Sequence, residues 1–86
     1  MRVTVISPER SLFDGEAESV IAPAFDGQVG ILPRHAPFMT LLGDGVLAVR
    51  PGGAGGGESR RFRVRGGFLQ VVGDVLRVVA GTAESA

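Results

Sequence analysis

Glycine and proline punctuate this chain from end to end, with 14 glycines and 5 prolines among its 86 residues. Proline removes a backbone donor and glycine is a poor helix former, so a helix needs a long stretch free of both. No window of about eleven residues carries apolar side chains at helical spacing. Short runs of Val, Ile and Leu lie between the breakers instead, the pattern of strands joined by tight turns. The expected fold class is all-β. Roughly eight to ten short strands would form a β-sandwich or small barrel. One such domain fills residues 1–86.

The strands are expected at Arg2 to Ser7, Glu16 to Ala22, Gln28 to Leu32, Phe38 to Leu42 and Val46 to Arg50. Further strands are expected at Arg60 to Arg65, Phe68 to Val72 and Val75 to Ala80. Asp14-Gly15, Asp26-Gly27 and Gly73-Asp74 read as turns, as do Gly43-Asp44-Gly45 and Gly66-Gly67. Pro33-Arg34-His35-Ala36-Pro37 reads as a rigid loop, because each proline pushes the residue before it toward extended backbone. The glycine-rich segment 52–57 is expected to be a flexible hairpin loop, and 81–86 a frayed tail.

Composition excludes several kinds of chemistry. Cysteine is absent, which removes disulfides, thiolate metal sites and thiol catalysis. Nine basic residues, all Arg, balance nine acidic ones, and a net charge of zero argues against a general binder of nucleic acid or anionic membrane. The opening MRVTVISPER lacks the apolar core of a signal peptide, so a cytoplasmic location is expected.

Several groups of residues invite a functional reading. His35 could act as a general base, but neither a Gly-x-Ser-x-Gly motif nor a cysteine supplies a nucleophile, and one histidine cannot make a histidine-based metal site. Gly27-Gln28-Val29-Gly30 resembles a phosphate cradle only in composition, since no helix follows to aim its N-terminus at the anion. Glu9, Asp14, Glu16 and Glu18 lack the ligand spacing of a calcium loop. Arg60, Arg61, Arg63 and Arg65 give the alternative function, a stand-alone β domain that binds nucleic acid through an Arg-rich strand. Against it, Phe62 falls on the opposite face from Arg61, Arg63 and Arg65, and charges on an exposed strand also serve to block edge pairing. No catalytic residue, cofactor, metal or small-molecule substrate is expected.

Three ordered blocks carry a more specific signal. They are Val5-Ile6-Ser7-Pro8-Glu9 with Leu12-Phe13-Asp14-Gly15, then Gly27-Gln28-Val29-Gly30-Ile31-Leu32-Pro33-Arg34-His35-Ala36-Pro37, then Gly66-Gly67-Phe68-Leu69-Gln70-Val71 with Val78-Val79-Ala80. Together they resemble the epsilon subunit of F-type ATP synthases, and the middle block is similar to that family's G-x-x-G-I-x-P-x-H-A-P signature. The resemblance implies a flattened β-sandwich of about ten strands. It also implies a non-catalytic rotor subunit, peripheral to the cytoplasmic face of the bacterial inner membrane. Its partners would be the gamma subunit and the c-ring, and its role would be to couple proton translocation to ATP synthesis.

Carried over by position, the gamma-facing surface would be Ser7, Leu12, His35, Ala36, Met39, Thr40 and Val78. The edge facing the ring would be Asp26, Gly27, Gln28 and Val29. Many relatives carry an acid where this chain has Gln28, so a hydrogen bond would replace a charge contact there. Most members continue into a C-terminal helical hairpin that carries ATP binding and inhibition. This chain stops at Ala86, so coupling without self-inhibition is expected of it.

Overall fold

The computed structural model describes residues 1–52 and 57–86. Residues 53–56 of the expected glycine-rich loop lie outside the described residues. Seven strands follow one another: β1 (Arg2–Ile6), β2 (Ser11–Ala24), β3 (Gly27–Ile31), β4 (Phe38–Leu41), β5 (Gly45–Pro51), β6 (Arg60–Val72) and β7 (Val75–Ser85). Among the described residues there is no helix.

Five of the strands close a ring. β1 pairs with β2, β2 with β5, β5 with β6, β6 with β7, and β7 returns to β1 as the one parallel pairing. β3 extends β2 as a hairpin, and β4 lies on β6 beyond the end of β5. The ring surrounds an apolar core with Val3 and Val5 from β1, Val20 and Ala22 from β2, Leu47 and Val49 from β5, and Leu76 and Val78 from β7. Phe62, Val64, Leu69 and Val71 of β6 complete its centre. Each Val, Leu or Phe side chain among them, fully buried, contributes about 1.5–3 kcal/mol. No buried side-chain polar atom in the described residues lacks a hydrogen-bond partner.

Seven strands stand where eight to ten were expected: Gly66-Gly67 does not separate two strands, and the apparent breaks at Asp14-Gly15 and Pro23 also lie inside one. Asp14-Gly15 is not a turn. Asp14 pairs with Thr4 and Gly15 with Val3, and Arg2 donates to the Asp14 carboxylate from Nε at 2.9 Å and Nη2 at 2.6 Å. Pro23 does not end β2, which runs on to Ala24. The Pro23 carbonyl accepts the Gly43 N–H at 2.8 Å, so the residue still uses the one backbone hydrogen-bonding group it has.

Gly66-Gly67 is the third case. β6 and β7 keep the same register on both sides of Gly66, from Phe62↔Ser85 to Arg65↔Thr82 and from Gly67↔Ala80 to Val72↔Val75. The side-chain phase reverses there: Phe62 and Val64 point inward before the pair, Leu69 and Val71 after it. Gly66 has φ 66° and Gly67 φ 103°, which is how an unbroken strand can flip its faces. A Cβ on Gly67 would overlap the Val79 carbonyl oxygen. The expected frayed tail is also strand, with Thr82, Ala83, Glu84 and Ser85 paired to Arg65, Val64, Arg63 and Phe62.

Candidate interaction surface

The turn expected at Gly73-Asp74 forms, the one expected at Asp26-Gly27 forms one residue earlier at Phe25-Asp26, and the two bracket a sheet face of unusual character. The inward residues of β4, β6 and β7 fix which residues face out, since neighbours in a strand alternate sides. Leu69 and Val71 are buried, so Phe68, Gln70 and Val72 face outward. Leu76 and Val78 are buried, so Val75, Arg77 and Val79 face outward. On β4, Met39 and Leu41 face outward.

Register assembles these into rows. Ile6 lies beside Val79, Val79 opposite Phe68, and Phe68 opposite Leu41. Beside that row run Thr4, Arg77, Gln70 and Met39, and then Arg2, Val75 and Val72. Met39 is 61% exposed, Leu41 62% and Val72 55%. An apolar patch spread over three adjacent strands, with Arg77 within it and Arg2 at its edge, is what an unpartnered docking face looks like.

The residues carried over by position divide into those that this face gathers and those that it does not. Met39 belongs to it. His35 and Ala36 stand at its rim, because their loop leads into β4 and Phe38 pairs with Val71. The His35 ring meets Phe38 edge-on at 5.5 Å between centroids, and its Nδ1 lies 2.7 Å from the Ala36 carbonyl oxygen. A carbonyl oxygen accepts only, so Nδ1 carries the proton and Nε2 is left as the ring's acceptor in the neutral form.

Val78 does not belong to the face. Its relative exposure is 0%, and it packs in the core from the inner side of β7, so it cannot touch a partner. The outward residue of that pair is Val79. Thr40 faces the inner side with Phe38 and is half-buried, opposite in direction to Met39. Leu12 is half-buried against the core. Ser7 closes the β1–β2 turn, where Ser7 and Arg10 exchange backbone hydrogen bonds at 2.9 and 3.3 Å.

Ile6, Leu41, Phe68, Val72, Val75 and Val79 were missed. Period-2 alternation from Leu69, Val71 and Leu76 points to four of them once β6 and β7 are known to pair.

Asp26, Gly27 and Gln28 stand exposed at the tip of the β2–β3 hairpin, while Val29 turns partly into the core. Phe25 at the same tip was missed. It is 67% exposed, and its N–H donates to the Leu41 carbonyl at 3.1 Å, which joins the tip to the end of the apolar face.

The remaining candidates are dispersed. Arg63 and Arg65 line an open cleft of about 460 Å³, shared with Glu9, Asp44 and Glu84. Arg65 Nε lies 3.4 Å from Asp44, and Glu84 pairs across from Arg63. Arg63 and Arg65 therefore sit among acids, and Arg60 lies over the Phe13 and Phe62 rings, so the nucleic-acid reading gains nothing from them. Asp14 goes to Arg2, and Glu18 to Arg50 at 3.4 Å. No cluster of three or more metal-binding side chains forms among the described residues.

The fold and this surface define a class: a closed β-sandwich module with an apolar sheet face left open. The sequence profile of the ATP synthase Delta/Epsilon chain beta-sandwich domain matches residues 1–86, and the chain belongs to that family. It is 41% identical over 85 residues to the ATP synthase epsilon chain of Desulforamulus reducens, covering 99% of this chain and 61% of that protein. It thus spans less than two thirds of that relative's length. Among solved structures it resembles a chain of the Euglena gracilis mitochondrial ATP synthase (OSCP/F1/c-ring), with a TM-score of 0.85 and 21% identity over 96% of this chain and 51% of that one. It also resembles a chain of the Tetrahymena thermophila mitochondrial ATP synthase central stalk and c-ring, with a TM-score of 0.78 and 19% identity over 98% and 65% of the two chains. At these identities the structural likeness concerns the fold.

Proposed function

We propose that this chain is the β-sandwich part of a rotor subunit in the central stalk of an F-type ATP synthase. It lies between the gamma subunit and the c-ring, and it passes torque between them without catalysing a reaction itself. In a bacterial cell it is peripheral to the cytoplasmic face of the inner membrane, held there by its partners. The observation that carries this reading is the open apolar face of β4, β6 and β7, in a chain whose family is that of the epsilon β-sandwich. The gamma-type partner covers Met39, Leu41, Phe68, Val72, Val75 and Val79, with His35 and Ala36 at the rim. The exposed β2–β3 tip, with Phe25, Asp26 and Gln28, meets the polar loops of the ring.

Calorimetric titration into the cognate gamma subunit tests the reading. The wild-type chain is expected to bind one to one. Met39→Glu is expected to weaken binding by at least about tenfold, because a carboxylate would be buried without a partner. Met39 is exposed in the free chain, so the variant folds. Equal affinities for the two proteins would refute this docking face.

A further inference from the structure

The turn that presents His35 is held from outside its own segment. Within it, the His35 N–H donates to the Leu32 carbonyl at 3.2 Å, so Pro33 and Arg34 occupy the central positions of a β-turn. Arg34 has φ 65°, left-handed backbone that the third position of a type II turn requires and that glycine or asparagine normally supplies. The Arg34 N–H donates to Asp74 Oδ1 at 2.9 Å, across 40 positions of sequence.

Asp74 makes further ties. With Gly73 it forms the tip of the β6–β7 hairpin, at φ 56° and 63°, the pattern of a type I′ turn. Its backbone carbonyl accepts the Arg2 N–H at 3.1 Å, and its carboxylate Oδ2 lies 3.8 Å from the Met1 amino group. One side chain thus joins the His35 turn to the hairpin whose flanking residues, Val72 and Val75, belong to the apolar face.

We infer that Asp74 is a positioning residue: it sets the His35–Ala36 loop against the β4–β6–β7 face so that loop and sheet meet the gamma-type partner as one surface. The inference rests on the docking reading above and names what makes that surface continuous. The loop has no other side-chain anchor on the hairpin among the hydrogen bonds of the described residues. Without the anchor, Arg34 holds an unfavourable backbone conformation with one fewer bond to keep it there.

Two substitutions separate the anchor from the turn. Asp74→Gly keeps the left-handed backbone and removes the acceptor. Asp74→Asn tolerates the same backbone and keeps a carbonyl oxygen for the Arg34 N–H. Amide hydrogen exchange at Arg34, referenced to core amides of β6 and β7, reads the anchor. Titration into the cognate gamma subunit reads the docking.

In Asp74→Gly the Arg34 amide is expected to exchange about three- to tenfold faster and gamma affinity to fall by a similar factor, while Asp74→Asn restores both to within about twofold. An Arg34 amide that exchanges at the wild-type rate in Asp74→Gly overturns the inference. So does faster exchange with unchanged affinity, which denies the loop a part in docking. If the wild-type chain does not bind gamma at all, the docking reading has failed, and the exchange comparison alone then decides whether Asp74 holds the turn.

Discussion

The β6–β7 hairpin is one ladder with two different outer faces. From Arg61 to Arg65 its outward side chains are Arg61, Arg63 and Arg65 on β6, with Glu84 across from Arg63 and Thr82 across from Arg65. From Phe68 to Val72 they are Phe68, Gln70 and Val72, with Val79, Arg77 and Val75 across. The inner sides are alike, Phe62 and Val64 in one half and Leu69 and Val71 in the other. The core therefore places the same demand on both halves and does not explain the difference outside. A charged outer face next to β5 is fully served by water. An apolar outer face next to β4 leaves large side chains exposed that folding alone has no reason to put there.

The junction between the halves is where the comparison breaks most severely. Gly67→Ala places a methyl group in the Val79 carbonyl at a backbone angle that alanine avoids. The expected loss is about 3 kcal/mol or more, which lowers the melting temperature by roughly 12–24 °C in a domain of this size. A thermal melt that shifts by only a few degrees would mean that the two halves do not depend on the flip. Exchanging the chemistry of the halves sharpens the contrast. Phe68→Arg gives the apolar half the character of the other and is expected to reduce gamma affinity by at least about tenfold with little change in melting temperature. Arg63→Ala, the mirror experiment in the charged half, is expected to change stability by less than about 0.5 kcal/mol and leave gamma affinity unaltered. A large effect of Arg63→Ala on affinity would move the docking surface to the other half.

The same junction marks what could be read from the chain alone. Turn residues and short apolar runs were enough for the all-β class, and the motif around His35 was enough for the family. Glycines inside strands are not distinguishable from glycines at turns by local sequence: only the pairing of Gly15 with Val3 and of Gly67 with Ala80 shows that these glycines continue a strand. The face assigned to Val78 failed for the same reason. Val78 and Val79 are chemically equivalent, and only the pairing of Val78 with Leu69 and Val79 with Phe68 shows which of them points outward. Asp74 was legible as a turn residue but not as an anchor, since its contact to Arg34 spans 40 positions.

The parallel pairing of β1 with β7 has a consequence for biosynthesis. β1 is made well before its partner, the segment from Val75 to Val79. During translation β1 can form a hairpin-like pair with β2, but its other edge stays open until β7 has left the ribosome. A domain joined in this way has high contact order and closes slowly, because the pairing spans almost the full length of the fold. In the interval the nascent chain exposes an unpaired strand edge beside Val3 and Val5. That makes the moment of closure, more than the finished fold, the point at which chaperones or an early-arriving subunit could protect it from aggregation.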